Sequence, residues 1–257
     1  MPKPVIAADI GNSAIKLGWL AGDGKFCHMR IESLDWLKAL EIPAQPALPP
    51  SPCHWSVCSV AASKCDAISA WVRKHRPHDN FHRIAADEIP IESVVDQRSQ
   101  VGRDRLLAAF MAKRLVQTSR PIVVVDAGTA VTIDLIDEGG VFQGGVIFPG
   151  ARAQLRTLAS TTHDLPELTI DSHLTMEILN SQPGKNTVEA MVRGVYRAQL
   201  AAIIGIAESY RDTCQVLATG GEIEGLRNVL PPDWRIEPFL ILQAALLIGS
   251  QFKPTDR

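Results

Sequence analysis

A chain that writes one strand-and-turn signal twice is constrained to fold as two related halves. Residues 5–13 run Val-Ile-Ala-Ala-Asp-Ile-Gly-Asn-Ser, and residues 122–130 run Ile-Val-Val-Val-Asp-Ala-Gly-Thr-Ala. In both, an apolar run breaks at Asp-x-Gly followed by two small residues. Pro4 and Pro121 precede the runs in register, and Gly22 and Gly139 follow them in register. A buried apolar strand that ends this way leaves a carboxylate at its tip. The glycine then lets the backbone turn tightly and lets a ligand approach closely. The sequence therefore predicts a duplicated α/β domain, with halves at 1–117 and 118–257.

The turn residues predict chemistry as well as shape. Asn12, Ser13 and Thr129 are short donors beside the carboxylates of Asp9 and Asp126. Carboxylates hold cations directly or through water, while neighbouring donors grip phosphate oxygens. Two such tips facing one another across a cleft would make a nucleotide site. A third strand, 215–218, runs into Thr219-Gly220-Gly221 and offers another phosphate or nucleoside contact. A P-loop is excluded, because Gly184-Lys185 is followed by Asn186 and residue 179 is Leu179. No Gly-x-Gly-x-x-Gly follows a strand either. What remains is the architecture of actin-like ATPases and sugar kinases: duplicated actin-like (ribonuclease H-like) domains with ATP in the interdomain cleft.

Composition narrows the partners. A net charge of −2 gives no overall attraction to nucleic acid or to a membrane surface, and 46% hydrophobic residues suffice for two modest cores. The apolar stretch 239–248 is too short for a bilayer span, and no secretory leader is expected before Pro4. Cys27, Cys53, Cys58, Cys65 and Cys214 are odd in number and lack zinc-site spacing, which predicts reduced thiols in a cytoplasmic protein.

Local patterning predicts strands over 4–10, 15–20, 26–31 and 55–60, with helices over 67–74, 103–117 and 187–209. The proline-dense residues 43–52 read as an extended connector. Residues 74–82 hold His75, His78 and His82, but Pro77 breaks any helical spacing, so a solvated loop is expected rather than a metal site.

Seven motifs, four of them new, then sharpen the reading. They are Asp9-x-Gly11-Asn12-Ser13, Gly102-x-Asp104-Arg105, Asp126-x-Gly128-Thr129-Ala130, Gly144-Gly145-x-Ile147-x-Pro149-Gly150, residues 158–166, Gly184-x-Asn186-Thr187 with Gly194, and Thr219-Gly220-Gly221. Together, over nearly the whole length, they resemble type III pantothenate kinase, a member of the acetate and sugar kinase, heat-shock and actin superfamily. The resemblance implies phosphorylation of pantothenate by ATP to 4′-phosphopantothenate, the step that commits it to coenzyme A. It also implies magnesium, a monovalent cation such as potassium or ammonium, and a homodimer. The stretch 94–101 carries neither the tyrosine nor the proline that the family places there, and Arg103 stands where a small residue is common.

The resemblance implies a role for each matching residue. Asp104 becomes the catalytic base, in a first helical turn expected to favour its ionised form; spacing alone favours a helix cap instead. Gly102, Arg103, Asp104, Arg105 and Thr187 would contact substrate. Unaided, the sequence leaves Arg105 evenly between an anion contact and a surface ion pair, and it reads Thr187 as an N-cap. Asp9, Ile10, Gly11, Asn12, Ser13, Ala14, Ile15 and Lys16, with Thr129, would hold the nucleotide, and Asp9 would meet magnesium through water. Asp126 would bind the monovalent cation, or else be satisfied by backbone N–H groups. The 187–209 helix carries Ala190, Met191, Ala198, Ala201 and Ala202, suited either to a dimer contact or to the core. Two competitors remain: a nucleotide-binding regulatory or accessory protein of the same fold, and a sugar or acyl kinase.

Overall fold

The computed structural model describes residues 3–32, 36–41, 47–168, 182–210 and 214–251. Residues 43–46 of the proline-dense connector lie outside them. The described chain forms two five-stranded sheets within two compact units.

In the first unit, β1 (Val5–Ile10), β2 (Ile15–Leu20) and β3 (Phe26–Ile31) form an antiparallel meander. β4 (His54–Ser59) then pairs parallel to the other edge of β1, and β5 (Asn80–Arg83) pairs parallel to β4. In the second unit, β6 (Ile122–Ala127), β7 (Ala130–Ile136) and β8 (Phe142–Pro149) repeat the meander. β9 (Gln215–Thr219) and β10 (Arg235–Ile236) repeat the parallel additions. The sheet orders β3-β2-β1-β4-β5 and β8-β7-β6-β9-β10 are therefore the same order written twice. The fold is a duplicated α/β domain of the actin-like class, and the repeated Asp-x-Gly turns end equivalent strands.

The apolar alternation of each strand builds its core. Ile6, Ala8 and Ile10 of β1, Leu17 and Trp19 of β2, and Trp55 and Val57 of β4 pack with Cys65, Ile68 and Val72 of α2 (Ala62–His75), the helix after the short α1 (Trp36–Glu41). In the second unit Val123, Val125 and Ala127 pack with Val131 and Ile133 and with Ile203 and Ala207 of α5 (Thr187–Tyr210). By length and composition that 24-residue helix could cross a membrane. A second cluster joins Ala151 and Leu155 of α4 (Ala151–Thr161) to Met191, Val192 and Val195.

The opposite face of the first sheet is covered from the far end of the chain. The helix Leu240–Gln251 packs on β1, β2 and β4, burying Leu240, Ile241, Leu242, Ala244 and Ala245. Small residues allow this. A side chain at Gly249 would strike Ser56 and Val5, each 2.7 Å from its Cβ position. Consequently the first unit contains residues up to Ile91, Asp96–Met111 and the C-terminal helix, while the second contains Glu92–Val95 and Ala112–Phe239. A cut between 117 and 118 follows the repeat in sequence, whereas burial assigns the last helix to the first sheet.

The structure also corrects the loop expected at 74–82. His75 ends α2, stacked on Trp71, and Asn80 begins β5. Between them the buried Asp79 carboxylate accepts hydrogen bonds from Ser51 Oγ (2.7 Å), Cys53 N–H (2.8 Å), Trp55 Nε1 (2.8 Å) and Arg76 Nε. Burial alone would raise its pKa, but these donors outweigh it and hold the carboxyl below the usual range. Among the described residues no group of three or more His, Cys, Asp or Glu could hold a metal, the histidine segment included.

Candidate phosphoryl-transfer site

Asp9 sits at the tip of β1 with 9% of its surface exposed. The antiparallel register sets Lys16 directly across from it, and Lys16 Nζ lies 3.4 Å from Asp9 Oδ2. The turn between them is closed by Gly11 N–H on the Ala14 carbonyl, 3.0 Å. Asn12 and Ser13 are exposed at its tip. Within the stretch expected to hold nucleotide, Ile10 and Ile15 turn their side chains into the core. Both residues are buried throughout, 0% and 1% exposed.

Asp104 lies in the first turn of α3 (Arg103–Leu115). Its Oδ1 accepts the Arg105 N–H at 2.9 Å, and the carboxylate folds back so far that a Cβ on residue 102 would collide with Oδ1. This explains the glycine of Gly102-x-Asp104. Burial pushes the Asp104 carboxyl above the ordinary range and the charge of Asp9 pushes the same way; the Arg105 N–H and guanidinium oppose them. The helix N-terminus was expected to favour the ionised form, but loss of solvent wins. A carboxylate of raised proton affinity in reach of a second carboxylate is suited to general-base work. Arg103 Nε is buried without a hydrogen-bond acceptor among the described residues, and its charge is felt at the buried Cys65 thiol.

In the second unit the antiparallel register places an uncharged residue, Thr132, across from Asp126. On its other side Asp126 pairs with Thr219 of β9. Gly220 then adopts φ +105°, and a Cβ there would collide with Asp126 Oδ1 and the Ala127 backbone. The Thr-Gly-Gly turn thus packs on the second Asp-x-Gly turn, and the helix after it, α6 (Ile223–Leu226), has only four residues. Thr129 is exposed, and its carbonyl accepts the N–H of Gly150, the residue that caps α4.

At the start of α5 the structure corrects the N-cap. Asn186, not Thr187, is the cap: Asn186 Oδ1 accepts the Glu189 N–H at 2.9 Å, and Asn186 Nδ2 donates to Glu189 Oε1 at 3.0 Å. Thr187 is the first helical residue, exposed and with its hydroxyl not needed for capping. The small-residue face divides too. Met191 is core, whereas Ala190, Ala198 and Ala201 are exposed together with Gly194 and Gly205.

Sequence reasoning missed three contributors. Lys64 of α2 donates to the carbonyls of Gly11, at 3.4 Å, and Asn12. Glu222 accepts Gln199 Nε2 at 2.9 Å while its own N–H holds the Ala127 carbonyl at 3.0 Å; burial raises its pKa. Its signal was its place directly after Thr-Gly-Gly. Arg98, in the stretch without the family's tyrosine and proline, ties the carbonyls of Ile91 (2.6 Å), Ile89 (2.7 Å) and Ala86 (3.1 Å).

A family model for type III pantothenate kinase matches residues 5–209. The chain belongs to the type III pantothenate kinase family. A type III pantothenate kinase of Rhodopirellula baltica is 36% identical over 165 residues, 63% of this chain and 59% of that one. Another, from Oleidesulfovibrio alaskensis, is 27% identical over 96% of this chain and 97% of its own. The chain thus spans about three fifths of the first of these relatives and nearly all of the second. Among solved structures, the activator of the 2-hydroxyisocaproyl-CoA dehydratase from Clostridium difficile, with bound ADPNP, superposes with a TM-score of 0.50 at 12% identity. It covers 96% of this chain and 94% of its own. That likeness is one of fold.

Proposed function

We propose that the protein transfers the γ-phosphoryl group of ATP to the primary hydroxyl of pantothenate, giving 4′-phosphopantothenate and ADP. Family membership supports the reaction. The observation that carries the mechanism is Asp104, a carboxylate of raised proton affinity held at the start of α3 with Asp9 in electrostatic reach. Phosphoryl transfer asks a protein for positioning and charge neutralisation more than for covalent chemistry. Asp104 accepts the hydroxyl proton as the oxygen attacks. Arg105 suits the substrate carboxylate as a two-pronged donor, and Gly102, Arg103 and Thr187 are assigned to the same substrate.

The Asp9 turn, from Asp9 to Lys16, is assigned to the nucleotide phosphates, and Thr129 adds a nucleotide contact. Asp9, a single carboxylate already paired with lysine, would hold magnesium through water, and the ion when bound would offset phosphate charge. Asp126, across from Thr132 at the tip of β6, is assigned to a monovalent cation, which when bound would offset phosphate charge. We assign the working form to a cytoplasmic homodimer, with the exposed Ala190, Gly194, Ala198, Ala201 face of α5 as the contact.

The test is pantothenate-dependent release of ADP by the full chain, with and without potassium, compared with nucleotide binding. Turnover that ignores pantothenate rejects the substrate. Nucleotide binding without any turnover would favour the accessory-protein alternative.

A further inference from the structure

Lysine is out of place in the first turn of a helix, because the unpaired N–H groups there already make that end positive. Yet α2 opens Ala62-Ser63-Lys64, with no acidic residue in its first turn and no side-chain cap at Ala61. A residue that breaks a local rule needs a reason elsewhere in the fold. For Lys64 that reason is the Asp9 turn: its ammonium reaches the carbonyls of Gly11 and Asn12. The carbonyl just before them, that of Ile10, accepts the Val60 N–H at 3.2 Å and the Ser59 hydroxyl at 3.5 Å. Three consecutive turn carbonyls are thus held by the six residues 59–64.

Peptide geometry converts this into a functional statement. In a trans peptide the C=O of one residue and the N–H of the next point in opposite directions. Holding the Gly11 and Asn12 carbonyls toward Lys64 therefore aims the Asn12 and Ser13 N–H groups to the far side of the turn. Charge acts in the same sense. Asp9 and Lys16 neutralise one another across the hairpin, so Lys64 supplies the turn's net positive charge. Its ammonium has three protons, of which two carbonyls use two.

We propose that Lys64 is a positioning residue for the nucleotide: it presets the Asp9 turn to receive a polyphosphate and gives it the charge to hold one. This rests on the kinase reading above. The experiment uses the full chain as wild type, Lys64→Met and Lys64→Arg, with steady-state kinetics in both substrates, equilibrium binding of a fluorescent ATP analogue, and thermal melting. Lys64→Met is expected to raise the KM for ATP and weaken analogue binding roughly 10–100-fold, the usual worth of hydrogen bonds from a charged donor. The KM for pantothenate should change less than about twofold and the melting point should hold, and Lys64→Arg should recover most of the loss. An unchanged ATP KM in Lys64→Met, a loss shared equally by both substrates, or an arginine variant no better than the methionine one would overturn the proposal. If the wild type binds nucleotide but does not turn over pantothenate, the kinase reading fails alone. Analogue binding then still decides for or against Lys64.

Discussion

The two Asp-x-Gly turns end equivalent strands of equivalent sheets, yet their surroundings differ by two lysines. Opposite Asp9 stands Lys16, and Lys64 reaches the same turn from α2. Opposite Asp126 stands Thr132, and what packs on that turn is Gly220, a backbone with no side chain. The second turn is also one residue shorter, since the flanking strands rejoin at Ala127 and Val131 rather than at Ile10 and Ile15. Duplication kept the scaffold that places a carboxylate at a strand tip, and changed what neutralises it. One copy has lysines beside its carboxylate; the other has a threonine across from it.

The largest effect belongs to the group that neither turn supplies. Asp104→Asn should lower kcat by roughly 10²–10⁴ while nucleotide binding at the Asp9 turn survives; parallel loss of binding would mean that Asp104 only holds the turn in shape. Next is the charge difference itself. Asp126→Ala should remove potassium activation and lower turnover roughly 10–100-fold. Thr132→Lys, which copies the Asp9–Lys16 arrangement into the second sheet, should make residual turnover indifferent to potassium. A Thr132→Lys protein that still needs potassium would break the comparison.

Smaller effects follow from proton binding. Because burial and then Asp9 raise the Asp104 pKa, the acidic limb of kcat/KM should lie above the ordinary aspartate value of about 4. In Asp9→Asn the residual activity should show that limb at lower pH, and a limb that does not move would separate the two carboxylates. The smallest concerns stability. His54, 5% exposed on β4, is pushed down to about 4 by burial, then by the charges of His82 and Lys3. Its counterpart in the second sheet, paired in the same register, is Gln215, which does not titrate. The unfolded chain therefore binds a proton that the folded first unit resists. Stability should be full above about pH 6.5 and fall by on the order of 1–3 kcal/mol as the pH drops toward 4. Denaturant midpoints would show this slope, and His54→Phe should flatten it.

The sequence revealed what depends on local pattern. The Asp-x-Gly repeat, the strands that carry it and the position of Asp104 in a first helical turn all follow from short-range spacing. What it hid depends on partners distant along the chain. Asp79 looked like part of a polar loop because its donors Ser51, Cys53 and Trp55 lie more than twenty residues earlier. Lys64 gave no signal because its acceptors lie some fifty residues away. The Asp104 expectation failed by sign rather than by place, since a helix end is visible in sequence and loss of solvent is not. Thr187 and Asn186 differ by one position, and only the hydrogen bonds to Glu189 decide which one caps.

The helix Leu240–Gln251 covers a sheet whose first strand begins at Val5. During synthesis the second unit has all of its strands before the first has its lid, so the half that is made earlier must finish later. Until that helix has emerged, the face of β1 and β4 that it buries, with Val5 and Ser56 on it, stays open to chaperones and to aggregation. A stop codon placed just before Leu240 should therefore damage the opposite end of the polypeptide from the one it shortens.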